Sequence, residues 1–191
     1  MKIAIIGNGN VGSALEAGLT RTGHEVRAVG REPGAVREAG EFAEIVILAV
    51  PFGEIDNAVG ELRSSVSGKI VVDATNALTP EYDLALGFST SGAEELQKKL
   101  PESSVVKAFN TSFASTMNGG QINDEQLAGL IAADDADAKA QVLALVGQLG
   151  FDPIDAGPLA SARLLEPFGV LNIKLGFAQG YGPNSGFKLV H

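Results

Sequence analysis

The chain begins MKIAIIGNGNVG over residues 1–12, so that a short apolar strand runs directly into the spacing G-x-G-x-x-G. The residues after the motif form one apolar stripe at helical spacing, made of Val11, Ala14, Leu15, Gly18 and Leu19. A glycine motif that ends a strand and opens a helix is typical of a turn that holds the pyrophosphate of a dinucleotide. The alternative is a glycine-rich structural turn without a ligand.

Each glycine of the motif has a separate physical task. Gly7 permits the tight turn, Gly9 lets the backbone approach a pyrophosphate closely, and Gly12 lets the helix pack tightly on the strand. The free N–H groups and the positive end of the helix dipole then face the two phosphates. We therefore predict a dinucleotide site at this turn.

The composition limits the classes of partner and of chemistry. The 191 residues fit a single domain with a substantial core, and 45% of them are hydrophobic. The net charge of −9 argues against nucleic acid and against a membrane surface as partners. With no cysteine and two histidines, neither disulfides nor a metal site are expected. The apolar run at 159–178 is interrupted by charges, and the first strand leaves no room for a signal peptide, so we expect a cytoplasmic protein.

Apolar strands alternate with helical segments along most of the chain. The predicted strands are 1–6, 25–29, 45–49, 69–73, 104–109, 129–133 and 151–155. Helices are predicted at 54–62 and 93–100, and another follows a capping segment at 134–137 and stops at Gly150. This alternation predicts a parallel sheet covered on both faces, the doubly wound α/β architecture of a Rossmann NAD(P)-binding fold.

The pattern changes after Gly157. We predict a nucleotide-binding domain over 1–157 and a short C-terminal helical extension over 158–191. Apolar residues in the extension recur at spacings of four and three and form a narrow helical seam: Leu164, Phe168, Leu171, Leu175 and Ala178. Pro167 predicts a kink or a two-piece helix. The seam either covers the sheet edge or forms a lid or a dimer contact, and we favour a homodimer because such a stripe usually meets another helix.

The end of the second strand distinguishes NAD from NADP. NAD-binding proteins place an acidic residue there, which binds the 2′-hydroxyl of the adenine ribose. Here the strand runs into Gly30 and Arg31, so Arg31 is placed to pair with a 2′-phosphate and Gly30 leaves room for it. Glu32 would take the role of the NAD-binding acid if the strand ended later than predicted. We therefore predict NADP(H) as the nucleotide.

The next two strand ends are predicted to border the same crevice, because ligands of this fold bind outside the carboxyl ends of the strands. Ala49, Val50 and Pro51 would line the ribose and pyrophosphate side. Thr75 and Asn76 can bond a ribose hydroxyl on the nicotinamide side. For residues 73–76, a turn or helix-cap cluster without a ligand is the alternative.

Five segments resemble one known family. They are the glycine turn at 7–12, GR at 30–31, LAVP at 48–51, VKAFNT at 106–111 and DAGPL at 155–159. Together they resemble the NADPH-dependent coenzyme F420 (deazaflavin) reductases and the related cytosolic NADPH-oxidoreductase domain of six-transmembrane metalloreductases. The resemblance implies that a planar deazaflavin or flavin stacks on the nicotinamide and exchanges hydride with it directly.

The resemblance also implies roles for single residues. The implied phosphate-binding residues are Asn8, Gly9, Asn10 and Val11 for the pyrophosphate, and Gly30 and Arg31 for the 2′-phosphate. The backbone of Ala114 is implied to meet the nicotinamide carboxamide, and residues from Asn110 to Phe113 to border the second ring. Deazaflavin reductases carry a histidine and a proline where this chain has Asn110 and Phe113, so the resemblance leaves the acceptor open.

We therefore expect an NADP-dependent oxidoreductase that transfers hydride between NADP(H) and a small-molecule redox acceptor. Coenzyme F420, FMN and FAD are the candidate second substrates. Hydride exchange between stacked rings requires alignment and no obligatory general base, so no catalytic side chain is assigned. Lys107 is expected to pack its stem on the sheet edge. The alternatives are a pyrroline-carboxylate or imine-type NADPH reductase, and a non-enzymatic NADPH sensor.

Overall fold

The computed structural model describes residues 1–30, 32 and 34–190. The strands of its main sheet are β1 (Lys2–Ile6), β2 (Glu25–Val29), β3 (Ile45–Leu48), β4 (Ile70–Asp73), β5 (Ser104–Lys107), β8 (Ala128–Ala133) and β9 (Asp152–Asp155). A separate hairpin consists of β6 (Gln121–Ile122) and β7 (Glu125–Gln126). The order across the main sheet is β2-β1-β3-β4-β5-β8-β9. The chain leaves β1 for one edge and returns to β3 on the other side, so a topological switch point lies between β1 and β3.

The helices are α1 (Asn10–Arg21), α2 (Ala35–Phe42), α3 (Ile55–Leu62), α4 (Gly92–Lys99), α5 (Ala114–Met117), α6 (Ala136–Gln148) and α7 (Ala162–Ile173). The predicted cap of α6 is confirmed, because the Asp135 carboxylate accepts a hydrogen bond from the Ala138 N–H at 2.9 Å. The sequence patterns did not predict α2 or α5. No helix in the described part of the chain is long and apolar enough to cross a bilayer.

Burial on both faces of the sheet explains why its central strands are apolar throughout. In β1, Ile3 and Ile5 belong to one apolar cluster with residues of α1 and α6. Ala4 and Ile6 belong to a second cluster with residues of α2 and α3 on the other face. The predicted doubly wound α/β fold is therefore confirmed.

The sheet is not parallel throughout, which corrects the prediction. The strands from β2 to β5 pair in parallel, and so do β8 and β9, but β5 and β8 are antiparallel, with Val106 opposite Ala133. The segment between β5 and β8 contains only the short helix α5 and the β6–β7 hairpin. It does not carry the chain back across the sheet, as a parallel connection requires. Because β9 runs antiparallel to β1, the segment DAGPL at 155–159 lies at the amino ends of the central strands, whereas the glycine turn lies at their carboxyl ends.

One other predicted boundary is wrong, and the two-piece helix predicted at Pro167 does not form, whereas the alternative of a kink there stays a prediction. β5 ends at Lys107 rather than at Phe109, because Phe109 has a left-handed backbone with φ of +67°. α7 continues through Pro167, and the helical pitch changes instead at the π-helical turn Lys174–Ala178. In that turn a Cβ on Gly176 would lie 2.6 Å from the ring of Phe113, so glycine permits the turn to pack closely on this ring.

Candidate functional site

The turn after β1 excludes side chains at two of its three glycines. Gly7 has φ of +115°, and a Cβ there would lie 2.3 Å from the carbonyl oxygen of Ala49. A Cβ on Gly12 would lie 1.8 Å from the carbonyl oxygen of Gly7. Gly9 differs, because none of the described atoms outside its chain neighbours lies within 4 Å of its Cβ position. The protein itself therefore requires Gly7 and Gly12, whereas Gly9 faces space that a ligand can fill.

The N-terminus of α1 is available to an anion. Its N-cap is Gly9, no described side chain caps it, and its first turn contains no acidic residue. Asn8, Gly9 and Asn10 are exposed. The unpaired N–H groups and the dipole of this helix are therefore free to bind a phosphate.

A cavity of about 650 Å³ lies beside this helix end. Its wall brings together many of the predicted site residues: Gly9, Asn10, Val11, Ala49, Val50, Pro51, Thr75 and Asn76. A smaller hollow of about 270 Å³ shares Val50 and Pro51 with the cavity and is also lined by Gly30. The two hollows form one crevice outside the carboxyl ends of the strands at the switch point, where this fold binds dinucleotides.

At the predicted 2′-phosphate site, the structure describes Gly30 and Glu32. β2 ends at Val29 as predicted, and Gly30 follows it. A Cβ on Gly30 would lie 2.8 Å from the side-chain nitrogen Nδ2 of Asn8, so glycine permits the close approach of these two residues. The carboxylate of Glu32 accepts a hydrogen bond from the Gly30 N–H at 3.1 Å. Arg31, which is predicted to bind the 2′-phosphate, lies outside the described residues.

On the predicted nicotinamide side, Asn76 and Asn110 form two hydrogen bonds with each other. The Asn76 amide donates to the Asn110 carbonyl at 2.9 Å, and the Asn110 amide donates to Asn76 Oδ1 at 2.9 Å. The side chain of Asn110 is buried and also donates to the Leu165 carbonyl at 2.9 Å. Asn110 therefore supports Asn76 from behind the cavity wall, and Ala114 opens α5 outside the lining of this cavity.

A buried ionic cluster underlies the same wall. Lys107 Nζ donates to Asp73 Oδ2 at 2.9 Å, to Glu166 Oε1 at 2.9 Å and to the Thr75 carbonyl at 2.7 Å. All three ionic side chains are almost completely buried. Burial would lower the pKa of Lys107, but the carboxylates of Asp73 and Glu166 outweigh it and raise this pKa above its ordinary value. Lys107 is thus a charged residue inside the fold, which corrects the expectation of a stem packed on the sheet edge.

Helix α7 reaches this cluster from the C-terminal part of the chain. Its residue Glu166 also accepts hydrogen bonds from the N–H groups of Gly92 and Ala93 at the start of α4. Its residue Asn172 donates to the Thr111 carbonyl at 3.0 Å. α7 therefore holds the segments that follow β4 and β5. The sequence patterns missed this role, because Glu166 and Asn172 lie far along the chain from the residues that they support.

One atom at the cavity wall supports the fit of a ligand. Thr75 lines the cavity, and its hydroxyl oxygen is buried without a hydrogen-bond partner among the described residues. A native protein seldom leaves such a group unsatisfied. A hydroxyl-bearing ligand such as the ribose of a dinucleotide would offer it a partner, and the predicted role of Thr75 stays a prediction.

Comparison with known proteins identifies the family. The family model for NADP oxidoreductases that are coenzyme F420-dependent matches residues 2–39 and 32–77. The F420-dependent NADP reductase of Methanothermobacter marburgensis is 30% identical, over 92% of this chain and 92% of its own. The chain belongs to the F420-dependent NADP reductase family. This membership confirms the resemblance that the five sequence segments predicted.

Two further relatives extend the comparison for this F420-dependent NADP reductase family member. The crystal structure of a proposed F420-dependent NADP-reductase from Arthrobacter sp. FB24 has a TM-score of 0.92 and 30% identity, with both chains covered completely. The metalloreductase STEAP3 of Rattus norvegicus is 32% identical over 86% of this chain and 36% of the metalloreductase. The chain thus spans about a third of the length of the metalloreductases that it matches.

Proposed function

We propose that this protein is an NADP-dependent oxidoreductase that transfers hydride between NADP(H) and a planar deazaflavin or flavin. The observation that carries the proposal is the chemistry of the large cavity. Within the described residues, its lining contains no carboxylate, lysine, arginine or histidine, and Tyr82 is its one titratable side chain. Glu54 and Glu61 line the smaller hollow instead. A dehydrogenase that moves a proton with its hydride commonly needs an acid or base there, whereas exchange between two stacked rings depends on alignment.

In this proposal, the residues of the protein bind NADP(H) and align its nicotinamide with the acceptor. The uncapped N-terminus of α1 would bind the pyrophosphate. The nucleotide would lie across the switch point against Ala49, Val50 and Pro51. Thr75 and Asn76 would position the nicotinamide ribose, with Asn110 and Lys107 fixing the segment behind them. The nicotinamide and the acceptor supply the redox chemistry when they are bound.

A panel of acceptors tests this function. NADPH absorbance is followed after adding coenzyme F420, FMN, FAD or a ferric chelate to the protein. We expect oxidation with the deazaflavin or with a flavin, because each presents a planar ring that can stack on the nicotinamide. NADH in place of NADPH is the matched nucleotide control and should react more slowly. No oxidation with any acceptor would contradict the proposal.

We also propose that the helical seam is a contact between two copies of the chain. Leu164 and Leu171 are 70% and 50% exposed, and α7 turns other residues, including Leu165 and Val170, into the core. Leu164 and Leu171 therefore do not cover the sheet of their own chain, whereas the ring of Phe168 packs on Phe187 of the C-terminal tail, with 4.4 Å between the ring centroids. Apolar residues at this spacing usually pack on another helix.

Sedimentation velocity at micromolar protein concentration tests this contact. We expect a dimer for the wild type and a monomer for Leu171→Glu, because a carboxylate would be buried in the contact. Phe88→Glu, which alters an exposed apolar residue elsewhere, is the control and should remain dimeric. A monomeric wild type would overturn the proposed contact.

A further inference from the structure

A tight turn between β4 and α4 carries an exposed tyrosine. Leu78 and Leu84 form an isolated antiparallel bridge, and between them the Thr79 N–H donates to the Asp83 carbonyl at 2.8 Å. The Tyr82 N–H donates to the Thr79 carbonyl at 3.0 Å. These bonds define a compact turn over 78–84, which we call the tyrosine turn, with Pro80 and Glu81 at its tip and Tyr82 directly after them.

The backbone of Tyr82 is strained. Its φ is +62°, in the left-handed region where glycine and asparagine are favoured and a bulky side chain is uncommon. The turn itself would therefore be more stable with glycine at this position. Strain of this kind is commonly found where a side chain serves a ligand.

The position of Tyr82 indicates which ligand its side chain would contact. Its side chain is 61% exposed and lines the 650 Å³ cavity that also contains the nucleotide-facing residues Val11, Thr75 and Asn76. Leu78 and Pro80 of the same turn complete an apolar wall. Asp83, next to the tyrosine, forms a 2.8 Å ion pair with Lys174 of the π-helical turn, which links the tyrosine turn to the C-terminal part of the chain.

We propose that Tyr82 is a binding residue for the electron acceptor, and that its ring stacks on a planar heteroaromatic system of the flavin or deazaflavin class. An exposed aromatic ring beside a largely apolar cavity offers stacking and little else, so it favours a flat ring over a hydrated ferric chelate. The inference rests on the proposed hydride transfer, because it assigns the second substrate of the same crevice.

The test compares Tyr82→Ala, Tyr82→Phe and the control Phe88→Ala. Phe88 is 67% exposed, follows the tyrosine turn in the same connection, and is not among the residues lining the cavity. For Tyr82→Ala we expect the KM for FMN or coenzyme F420 to rise about tenfold, with the KM for NADPH unchanged. Tyr82→Phe keeps the stacking face and should stay within about twofold of the wild type. Phe88→Ala should behave as the wild type.

A binding measurement separates this inference from the proposed function. FMN and coenzyme F420 are titrated into the protein saturated with NADP⁺, and binding is followed by fluorescence without turnover. Weaker binding by Tyr82→Ala alone supports the stacking role, even if the wild type oxidises NADPH with none of the acceptors. Equal acceptor binding by Tyr82→Ala and the wild type overturns the role, as does an equal loss of NADPH and acceptor affinity.

Discussion

Lys107→Met is expected to lower the free energy of unfolding by about 3–5 kcal/mol. The substitution removes the ammonium group from between Asp73 and Glu166 and leaves both buried carboxylates without their cation. The interaction of Lys107 with these carboxylates is strong enough to raise its pKa despite complete burial, so the ammonium stays charged throughout the neutral range. Urea denaturation followed by circular dichroism, at fixed protein concentration, measures the loss.

Two comparisons make this result specific. Lys98→Met breaks an exposed ion pair with Glu95 and should stay close to the wild type. Lys107→Met combined with Glu166→Gln should recover part of the stability, because one of the two unpaired charges is removed. If Lys107→Met were as stable as Lys98→Met, the buried cluster would not contribute to the fold as we describe.

Gly9→Ala and Gly12→Ala are expected to impair nucleotide binding by different routes. Gly12→Ala should destabilise the protein by roughly 3 kcal/mol and remove detectable NADPH binding, because its Cβ would clash with the backbone oxygen of Gly7. Gly9→Ala should cost no more than about 1 kcal/mol, the penalty for alanine at a helix N-cap, since its φ of −76° suits alanine and the described part of the chain leaves its Cβ position open. Its NADPH affinity should nevertheless fall about 10- to 100-fold, because the methyl group would occupy the place of the pyrophosphate.

Thermal unfolding and calorimetric titration with NADPH distinguish the two routes. The pair is informative because both substitutions add one methyl group to the same turn. Unchanged NADPH affinity in a stable Gly9→Ala variant would show that the pyrophosphate does not bind at this helix end. A Gly9→Ala variant as unstable as Gly12→Ala would show instead that Gly9 is required by the protein itself.

Much of the fold was predictable because its signals are local. The strand, the glycine spacing and the helical stripe of β1 and α1 lie within about twenty consecutive residues, and each restricts the backbone where it occurs. The capping carboxylate of Asp135 likewise acts three residues away, on Ala138. The orientation of β8 was not predictable in this way. An apolar strand has the same pattern in either direction, so only the path of the connecting chain decides it.

The candidate site divides in the same manner. Residues from 7 to 12 and from 49 to 51 follow strands directly, and the strand ends bring residues 9–11 and 49–51 to one crevice. The support behind that crevice comes from Lys107, Glu166 and Asn172, which are distant in sequence from the segments that they hold. The residues next to a lysine in an apolar strand do not indicate which carboxylates it will pair with. Its burial could not be deduced before the carboxylates were placed beside it.

By itself, the sequence determined the doubly wound fold and the nucleotide turn of this protein, because short-range backbone geometry and hydrophobic burial suffice to specify both. The tertiary structure decided how the wall of the large cavity is built and supported. Tyr82 reaches the cavity wall, and Asn110 binds helix α7 behind that wall, only after the strands are ordered and the C-terminal helix is packed. Contacts between such distant residues depend on the assembled core, and no local pattern encodes them.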